Sequence, residues 1–192
     1  MSNQVSSLPR RGVNPRQAET VERLLAAGAE ELRLVGHEAL TMRTVASRAG
    51  VATATAYTYF ASKNHLFAEL FWRVLATDDA APPVGKTALA RLRHVSHHLV
   101  GLLEAQPELA AAATTSLLST DPDVERLRLR IGGHFLDRFR QALGDDADPV
   151  LLETLGLAFS GALLQAGMGL TSYSEMGDRL DAVVAVIMKG NA

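Results

Sequence analysis

The residues of this sequence best able to recognise another molecule follow Gly50. Thr53, Thr55 and Thr58 would share the outward face of one short helix that spans residues 53–59. Their short side chains carry a hydroxyl and a methyl group, which can approach base edges and phosphates closely when a helix enters the major groove of DNA. Only their place on this helix gives the threonines that role, because each one alone is an ordinary surface residue.

Other side chains could support different chemistry. His94, His97 and His98 suggest a metal site, because residues i and i+4 share one face of a helix. Further ligands would be needed, and the sequence offers no cysteine and no HExxH pattern. Ser160 lies in a stretch, residues 158–162, that faintly resembles a nucleophile elbow, but both framing glycines and the preceding strand are missing. We therefore expect no metal, no cofactor and no enzymatic activity.

The threonine helix needs a turn and a core to hold it outward. Ala46 is small where two steeply crossing helices would bring their backbones together, and Gly50 can adopt the left-handed conformation of a sharp turn. Val51 would fill the wedge between the two helices, and Phe60 and Leu66 would anchor the second helix to the core. The sequence from residue 40 to 66 therefore predicts a helix-turn-helix.

The rest of the sequence also predicts helices, since alternating strand patterns are absent and apolar residues recur at helical spacing. Asn14-Pro15, Asp121-Pro122 and Asp148-Pro149 have the form of an N-cap followed by proline at the first helical position. We predict an all-α fold of about nine helices, with a flexible arm over residues 1–13, a DNA-binding domain over 14–76 and a helical-bundle domain over 77–192. The helices beyond the best linker candidate, 77–86, are expected at 88–106, 107–118, 122–143, 149–168 and 175–189.

Residues 15–75 resemble the DNA-binding domain of the tetracycline-repressor (TetR) family. The resemblance is carried by the runs TMRTVA from Thr41 and AGV from Ala49, and above all by TAYTYFASKNHL from Thr55 to Leu66. Two positions depart from the family pattern: Ala56 stands where a larger aliphatic residue is usual, and Ala54 where glycine is common. The first places a smaller plug under the recognition helix.

The resemblance implies a set of DNA contacts. The start of the first short helix would contact phosphates or the groove, the threonines would face bases, the tyrosine hydroxyls would reach phosphates, and a lysine would neutralise another phosphate. Arg10, Arg11 and Arg16 in and near the arm could add phosphate or minor-groove contacts. Packing is the alternative for both tyrosines, and a solvated charge is the interpretation favoured for Arg48. The implied contacts are Thr41, Arg43, Thr53, Thr55, Tyr57, Thr58, Tyr59 and Lys63.

The resemblance further implies a homodimer on a (pseudo)palindromic double-stranded operator, with recognition helices about one DNA turn, roughly 34–36 Å, apart. The last two helices would form the interface. Small residues at 156 and 160–162 permit close helix approach, and an apolar face at 180, 183, 184 and 187 is available; the alternative is that both faces close the core of one chain.

A small-molecule effector is the other implied partner, because family members keep a pocket among helices that here span 63–140 and part of 149–168. Its binding would lower operator affinity, which makes the protein a repressor. Polar and aromatic residues within apolar helices are the candidates for this pocket: Trp72, His97, His98, Thr114, Thr115, Phe135, Phe159 and Met168.

Charge and composition agree with this interpretation. Residues 1–65 hold eight Lys and Arg against five Asp and Glu, whereas residues 66–192 hold eleven against sixteen. A basic N-terminal part on an acidic body directs the polyanion-binding surface toward the N-terminus. No signal peptide and no apolar run of membrane-spanning length is apparent, so we expect a cytoplasmic protein. A helical adaptor that uses the same motif for protein contact is the main alternative.

Overall fold

The computed structural model describes residues 15–79 and 81–190, apart from the side chain of Asp146. Within those ranges the protein is all-helical and contains no strand, which confirms the predicted fold class. The predicted arm and the Asn14 cap lie outside the described residues. The elements are α1 (Pro15–Ala39), α2 (Met42–Arg48), α3 (Thr53–Tyr59), α4 (Lys63–Thr77), α5 (Ala88–Ala105), α6 (Pro107–Leu117), α7 (Pro122–Leu143), a 3₁₀ turn (Gly144–Asp146), α8 (Pro149–Gly167) and α9 (Tyr173–Lys189).

Side-chain caps fix where most of these helices begin. Asp121 and Asp148 accept hydrogen bonds from backbone N–H groups in the first turns of α7 and α8, as their aspartate-proline pairs predict. Helix α9 begins earlier than the predicted Glu175, because Ser172 is its N-cap. The Ser172 hydroxyl accepts from the Glu175 backbone, and the Glu175 carboxylate accepts from the Ser172 backbone.

Gly36 interrupts α1 where the sequence predicts its end. Its φ of 74° and ψ of 169° are non-helical, and a last helical stretch continues to Ala39. A side chain would be strained at this positive φ, so glycine suits the break. The break redirects the chain toward the start of α2.

The helices form an N-terminal head on a larger body, and α4 belongs to both. In the head, α1 packs on α2 and on α4, and α2 packs on α3, whereas α6 and α7 pack along α4 from the body. Helix α1 also packs on α6, and α5 packs on α7 and α9. The large side chains of α4, including Phe67, Phe71 and Leu75, are buried in a core that runs through both parts. Any displacement of α4 would therefore also shift the helices of the head that contact it.

Helix α8 is apolar on more than its buried side. By length and composition alone it could cross a membrane, and it is the one helix of the described ranges that meets this criterion. The expectation that no segment approaches that limit was therefore wrong for α8. Only 28% of its most apolar stretch is buried within the chain. Val150 and Leu157 are 69% exposed, so α8 has an apolar outer face with no covering element among the described residues.

Candidate nucleic-acid interface

The turn between α2 and α3 has the geometry that the sequence predicts. Thr41 is the N-cap of α2 and forms a capping box with Thr44. Gly50 has a φ of 66°, and the backbone N–H of Val51 then donates to the carbonyl of Ala46 at 3.0 Å. The left-handed glycine reverses the chain within one turn, so α3 begins almost immediately after α2 ends.

Two arginines fasten this unit to α1. Arg23 donates through Nη1 to the carbonyl oxygen of Ala49 at 3.3 Å, which holds the end of α2. Arg48 pairs with the buried carboxylate of Glu31, with 2.6 Å between Nε and Oε1. Arg48 is exposed, as the interpretation of a surface charge expects, and its head group also joins α2 to α1. These contacts resist rotation of α2 and α3 against the scaffold.

Both small and large buried residues hold α3 against the rest of the head. Ala46 and Ala56 are fully buried where α2 and α3 meet, and Phe60 and Leu66 are 2% and 0% exposed. Gly28 allows α1 to approach closely, because a Cβ there would lie 3.0 Å from a methyl group of Leu66. The predicted core positions are confirmed, and Ala56 serves as the small plug beneath the recognition helix.

The opposite face of α3 faces solvent. Tyr57 is 52% exposed, Thr58 is exposed, and Thr53 and Thr55 are half-buried at the helix edges. The Thr58 hydroxyl donates to the Ala54 carbonyl of the same helix at 3.0 Å and can still accept a hydrogen bond.

The other residues implied as DNA contacts differ in how far they are exposed to solvent. Thr41 and Arg43 are exposed at the start of α2, and Arg16 is exposed at the start of α1. Tyr59 is half-buried and packs against the core, so its ring supports α3 from the side. Arg10 and Arg11 lie outside the described residues. The arrangement is a short, rigidly seated helix with hydroxyl groups along its exposed face.

Lys63 has a structural role that the sequence does not indicate. Its ammonium group donates to three backbone carbonyl oxygens that follow the break in α1, those of His37 at 3.0 Å, Glu38 at 3.3 Å and Leu40 at 3.4 Å. The contact ties the start of α4 to the end of α1. The implied phosphate contact stays a prediction, and this ammonium is already occupied by carbonyls in the structure.

Hydrogen bonds also join the start of α4 to the body. The Ser62 hydroxyl, which caps α4 by accepting from the His65 backbone, donates to Oδ2 of Asp121 at 2.6 Å. Nearby, the hydroxyl of Ser116 donates to the side-chain oxygen of Asn64 at 3.3 Å. The same few residues thus begin α4, border the helix-turn-helix and contact the corner between α6 and α7. Sequence reasoning missed this link, although Ser62 and Asp121 each carry a visible cap signature.

Comparison with known proteins identifies the family. The family model described as "Bacterial regulatory proteins, tetR family" matches residues 24–70. A curated but uncharacterized HTH-type transcriptional regulator of Mycobacterium tuberculosis is 42% identical over 179 residues, which cover 92% of this chain and 84% of that protein. The chain belongs to the TetR family. It is also 32% identical over 133 residues to the HTH-type transcriptional repressor KstR of Mycolicibacterium smegmatis, covering 67% of this chain and 65% of KstR.

Solved structures of TetR-family regulators share the fold. A TetR transcriptional regulator from Rhodococcus sp. RHA1 superposes with a TM-score of 0.71 at 21% identity, covering 90% of this chain and 97% of that chain. The TetR-family repressor FadR of Thermus thermophilus, solved in complex with lauroyl-CoA, gives a TM-score of 0.65 at 17% identity, covering 86% and 93%. The protein is therefore a TetR-family transcriptional regulator with the family's helical architecture.

The effector candidates of this TetR-family protein do not converge on one cavity in the described part of the chain. His97 is exposed and bonds Asp181 on α9 at 3.1 Å, so it does not line an interior pocket. Thr115 and Met168 are also exposed, so neither lines an interior pocket of the described chain, and their role as effector contacts stays a prediction. The hydroxyl of Thr114 is satisfied within its own helix by the Ala110 carbonyl at 2.8 Å.

Of the remaining candidates, Trp72, Phe135 and Phe159 are buried and His98 is half-buried. The rings of Phe135 and Phe159 pack at a tilt of 54° with their centroids 4.9 Å apart, as part of the core between α7 and α8. Trp72 lies edge-on to His134 at 6.0 Å, and His98 bonds Asp78 at 2.8 Å just beyond the end of α4. Aromatic and polar character predicts which residues are unusual in an apolar helix, but it does not predict which of them face one another.

Of the residues predicted to form the dimer interface, some are buried in the chain's own core and others are exposed to solvent. Gly156 faces α7 of the same chain, since a Cβ there would lie 2.8 Å from Leu136, whereas Gly161 has no atom within 4 Å. On α9, Leu180 and Val184 are buried in the chain's own core, while Val183 is 41% and Val186 71% exposed.

The assignment of the whole 180–187 face to a partner was therefore wrong. The exposed apolar residues of these two helices include Val150 and Leu157 on α8 and Val183 and Val186 on α9, which together are called the outer apolar face, and Gly161 on α8 has open space beside it.

Proposed function

We propose that this TetR-family regulator is a repressor that binds operator DNA as a homodimer and releases it when a small molecule binds its helical body. The observation that carries the proposal is the outer face of α3, where Tyr57 and Thr58 are exposed and Thr53 and Thr55 are half-buried, on a helix whose Ala56 is fully buried against the scaffold. Chromosomal DNA as the target places the protein in the cytoplasm. The head would comprise residues 14–76 and the effector and dimer domain residues 77–192.

The α3 face supports base recognition. Thr53, Thr55 and Thr58 would contact base edges in the major groove, and Tyr57 would direct its hydroxyl to a phosphate. Arg43, exposed at the start of α2, would contact the backbone beside the groove. Thr41 and the half-buried Tyr59 would contribute at the edge of this surface, and Lys63 would act mainly by holding α4 and α1 together.

The outer face of α8 and α9 supports dimerisation. Exposed apolar patches of this kind on a soluble domain mark interaction sites, and Leu157 and Val186 are each about 70% exposed. Gly161 leaves room for a close helix crossing. A second copy covering this face would generate a two-fold axis, and with it the symmetric pair of heads that a palindromic operator requires.

The shared helix α4 supports an effector mechanism. A ligand among α4, α5 and α7 would shift α4, and the Ser62–Asp121 and Lys63–carbonyl contacts would carry the shift into the head. Typical coupling of about 1–3 kcal/mol weakens operator binding roughly 5- to 150-fold. KstR is named a repressor, and FadR was solved with an acyl-CoA, which supports repression relieved by a small molecule.

Binding to DNA upstream of the protein's own gene tests the proposal. Retardation of this duplex should weaken steeply as salt rises, because phosphate contacts release counterions. Arg43→Ala should weaken binding to specific and unrelated duplexes alike, whereas Thr55→Val should chiefly alter preference between them. A matched control is Arg33→Ala, which removes an exposed arginine paired with Glu30 on α1.

An adaptor function would give a different result. A protein that uses α3 to contact another protein would show no salt-sensitive retardation, and its α3 variants would not change DNA binding. That outcome would leave the TetR-family fold intact and overturn the proposed operator binding.

A further inference from the structure

Helix α7 buries an arginine that has no acidic partner. Arg138 is 9% exposed, and no carboxylate in the described ranges comes within salt-bridge distance of its guanidinium. Its hydrogen bonds are long and go to neutral acceptors, with Nη1 3.3 Å from Gln141 Oε1 and Nη2 3.4 Å from the Ala81 carbonyl. The Nε–H group is buried without any partner. A buried cation in such surroundings is costly unless an anion completes it.

A further unsatisfied donor lies one helical turn earlier on the same face. His134 has a buried Nε2 atom with no hydrogen-bond partner, and its ring lies edge-on to Trp72 at 6.0 Å. Burial and the positive charge of Arg138 lower the pKa of His134, so the ring is neutral near pH 7. A neutral imidazole can still donate one hydrogen bond through Nε2.

Two carboxylates, those of Asp78 and Asp137, lie close enough for their charges to act on His134, and both are hydrogen-bonded to other residues. Asp78, just after α4, is bonded to His98 of α5 at 2.8 Å. Asp137, the neighbour of Arg138 on α7, is exposed and pairs with Arg140. Among the described residues neither Arg138 nor His134 has a carboxylate as a hydrogen-bond partner, so their free donors are open to an external anion.

We propose that Arg138 and His134 bind the oxyanion of the effector, a small molecule with a carboxylate or phosphate group attached to an apolar body. The side-on fork formed by Nε–H and Nη2–H fits two oxygens of such a group. The oxyanion would replace the long bond to the Ala81 carbonyl, and the apolar body would extend toward Trp72, whose ring is covered on one face by the Arg130 guanidinium at 4.2 Å. This inference rests on the proposed effector mechanism, since the site lies where α4 meets the body.

The site differs from what the sequence suggested. Neither Arg138 nor His134 is among the effector-pocket residues that the sequence suggested. One signal was available, because Leu127, Ile131, His134 and Arg138 fall on one face of the helix that is otherwise apolar. A charged residue at such a core position indicates a binding function or a paired charge.

Thermal unfolding of the full chain with three matched amphiphiles tests the assignment. Laurate and dodecyl phosphate carry the two oxyanions on the same chain, and dodecanol carries neither. We expect the two anions to raise the melting temperature, by about 3 to 6 °C at a concentration tenfold above Kd, and dodecanol to leave it unchanged. A larger rise with one anion than the other identifies the effector's head group.

Variants then locate the effect. Arg138→Met should melt higher than wild type without ligand, because it removes an unpaired buried charge, and should lose the response to both anions. Arg138→Lys keeps the charge without the fork and should respond at least about tenfold more weakly, the loss of roughly one charge-assisted hydrogen bond. The control Arg140→Met, on the exposed side of α7, should respond like wild type.

Two results would overturn the assignment: an equal response to dodecanol and laurate, or an anion response that survives in Arg138→Met. A wild-type protein unmoved by both anions would overturn it as well. Operator retardation, measured on the same preparations without amphiphile, is a separate readout. A protein that binds DNA but not the anions refutes this inference alone, whereas one that binds the anions but not DNA refutes the proposed function.

Discussion

Breaking the Ser62–Asp121 hydrogen bond should destabilise the protein and weaken communication between body and head. Each residue is the N-cap of a helix, Ser62 of α4 and Asp121 of α7, and the bond joins the two caps at 2.6 Å. Burial opposes ionisation of Asp121, but the hydrogen bonds from Ser62 and from the backbone of Asp123 and Val124 outweigh it, so its pKa lies below the usual 3.8. The carboxylate is therefore the form that the folded protein stabilises.

The size of the effect follows from two lost interactions. Ser62→Ala removes a helix cap, worth about 1 kcal/mol, and a hydrogen bond to a charged acceptor, worth about 1.5–3 kcal/mol and at the lower end for a half-buried pair. We expect a loss of about 2–3 kcal/mol, or roughly 4–12 °C in melting temperature for a chain of this size. Ser172→Ala, which removes only the cap of α9, should cost about 1 kcal/mol.

A double-mutant cycle separates the bond from the caps. Unfolding of Ser62→Ala, Asp121→Ala and the double variant, at one fixed protein concentration, should give a coupling energy of about 1.5 kcal/mol. The same coupling should appear in the effector response, with ligand weakening operator binding less in Ser62→Ala than in wild type. A coupling energy near zero would refute this role for the bond, whatever the stabilities of the single variants.

The pH dependence gives the sign of the Asp121 contribution. A carboxylate whose pKa is lowered by folding stabilises the protein above its unfolded pKa and loses that contribution as the pH falls through the folded value. The stability difference between wild type and Asp121→Asn should therefore be full above about pH 5 and shrink as the pH falls below 4. A difference that grows on acidification would contradict the direction of the pKa shift.

Three further substitutions probe other contacts. Lys63→Ala should lower stability and leave the salt dependence of DNA binding unchanged, because its ammonium group donates hydrogen bonds to three backbone carbonyls. A decrease of about 0.9 in the slope of log K against log salt concentration would instead show a phosphate contact. Thr55→Val should change discrimination between operator variants by about 0.5–1.5 kcal/mol, measured by competition binding, while an equal loss on every sequence would refute base contact. Gly167→Ala should cost about 1–3 kcal/mol in thermal unfolding, because its Cβ would lie 2.5 Å from Thr114 Cγ2, whereas Gly101→Ala, with no atom within 4 Å, should be neutral or stabilising.

Local signals in the sequence predict the elements of the fold well. Aspartate-proline pairs, Thr41 and Gly50 act through the backbone of their immediate neighbours, so their effects can be read within a few residues. They predict α7 at residues 122–143 and place the turn before α3. The miss at the start of α9 has the same local character, because Ser172 and Glu175 together form the cap.

The site is harder to predict where its contacts join distant parts of the chain. Lys63 reaches carbonyls beyond the break in α1, and Arg48 reaches Glu31, neither of which any local pattern indicates. For His97 and Arg138, the residue type alone predicts the wrong burial. His97 has the residue type of a ligand contact but is exposed, whereas Arg138 has the residue type of a surface charge but is buried. Which face of a helix turns inward depends on all its neighbours at once.

The most direct test of the regulatory account is selection of bound duplexes from a randomised double-stranded library by the purified protein. We predict enrichment of one inverted repeat by the wild type and its loss in a variant with Thr55 and Tyr57 both replaced by alanine, at unchanged melting temperature. Unselective recovery of duplexes by the wild type, or an identical enriched sequence with the double variant, would contradict the claim that α3 reads DNA.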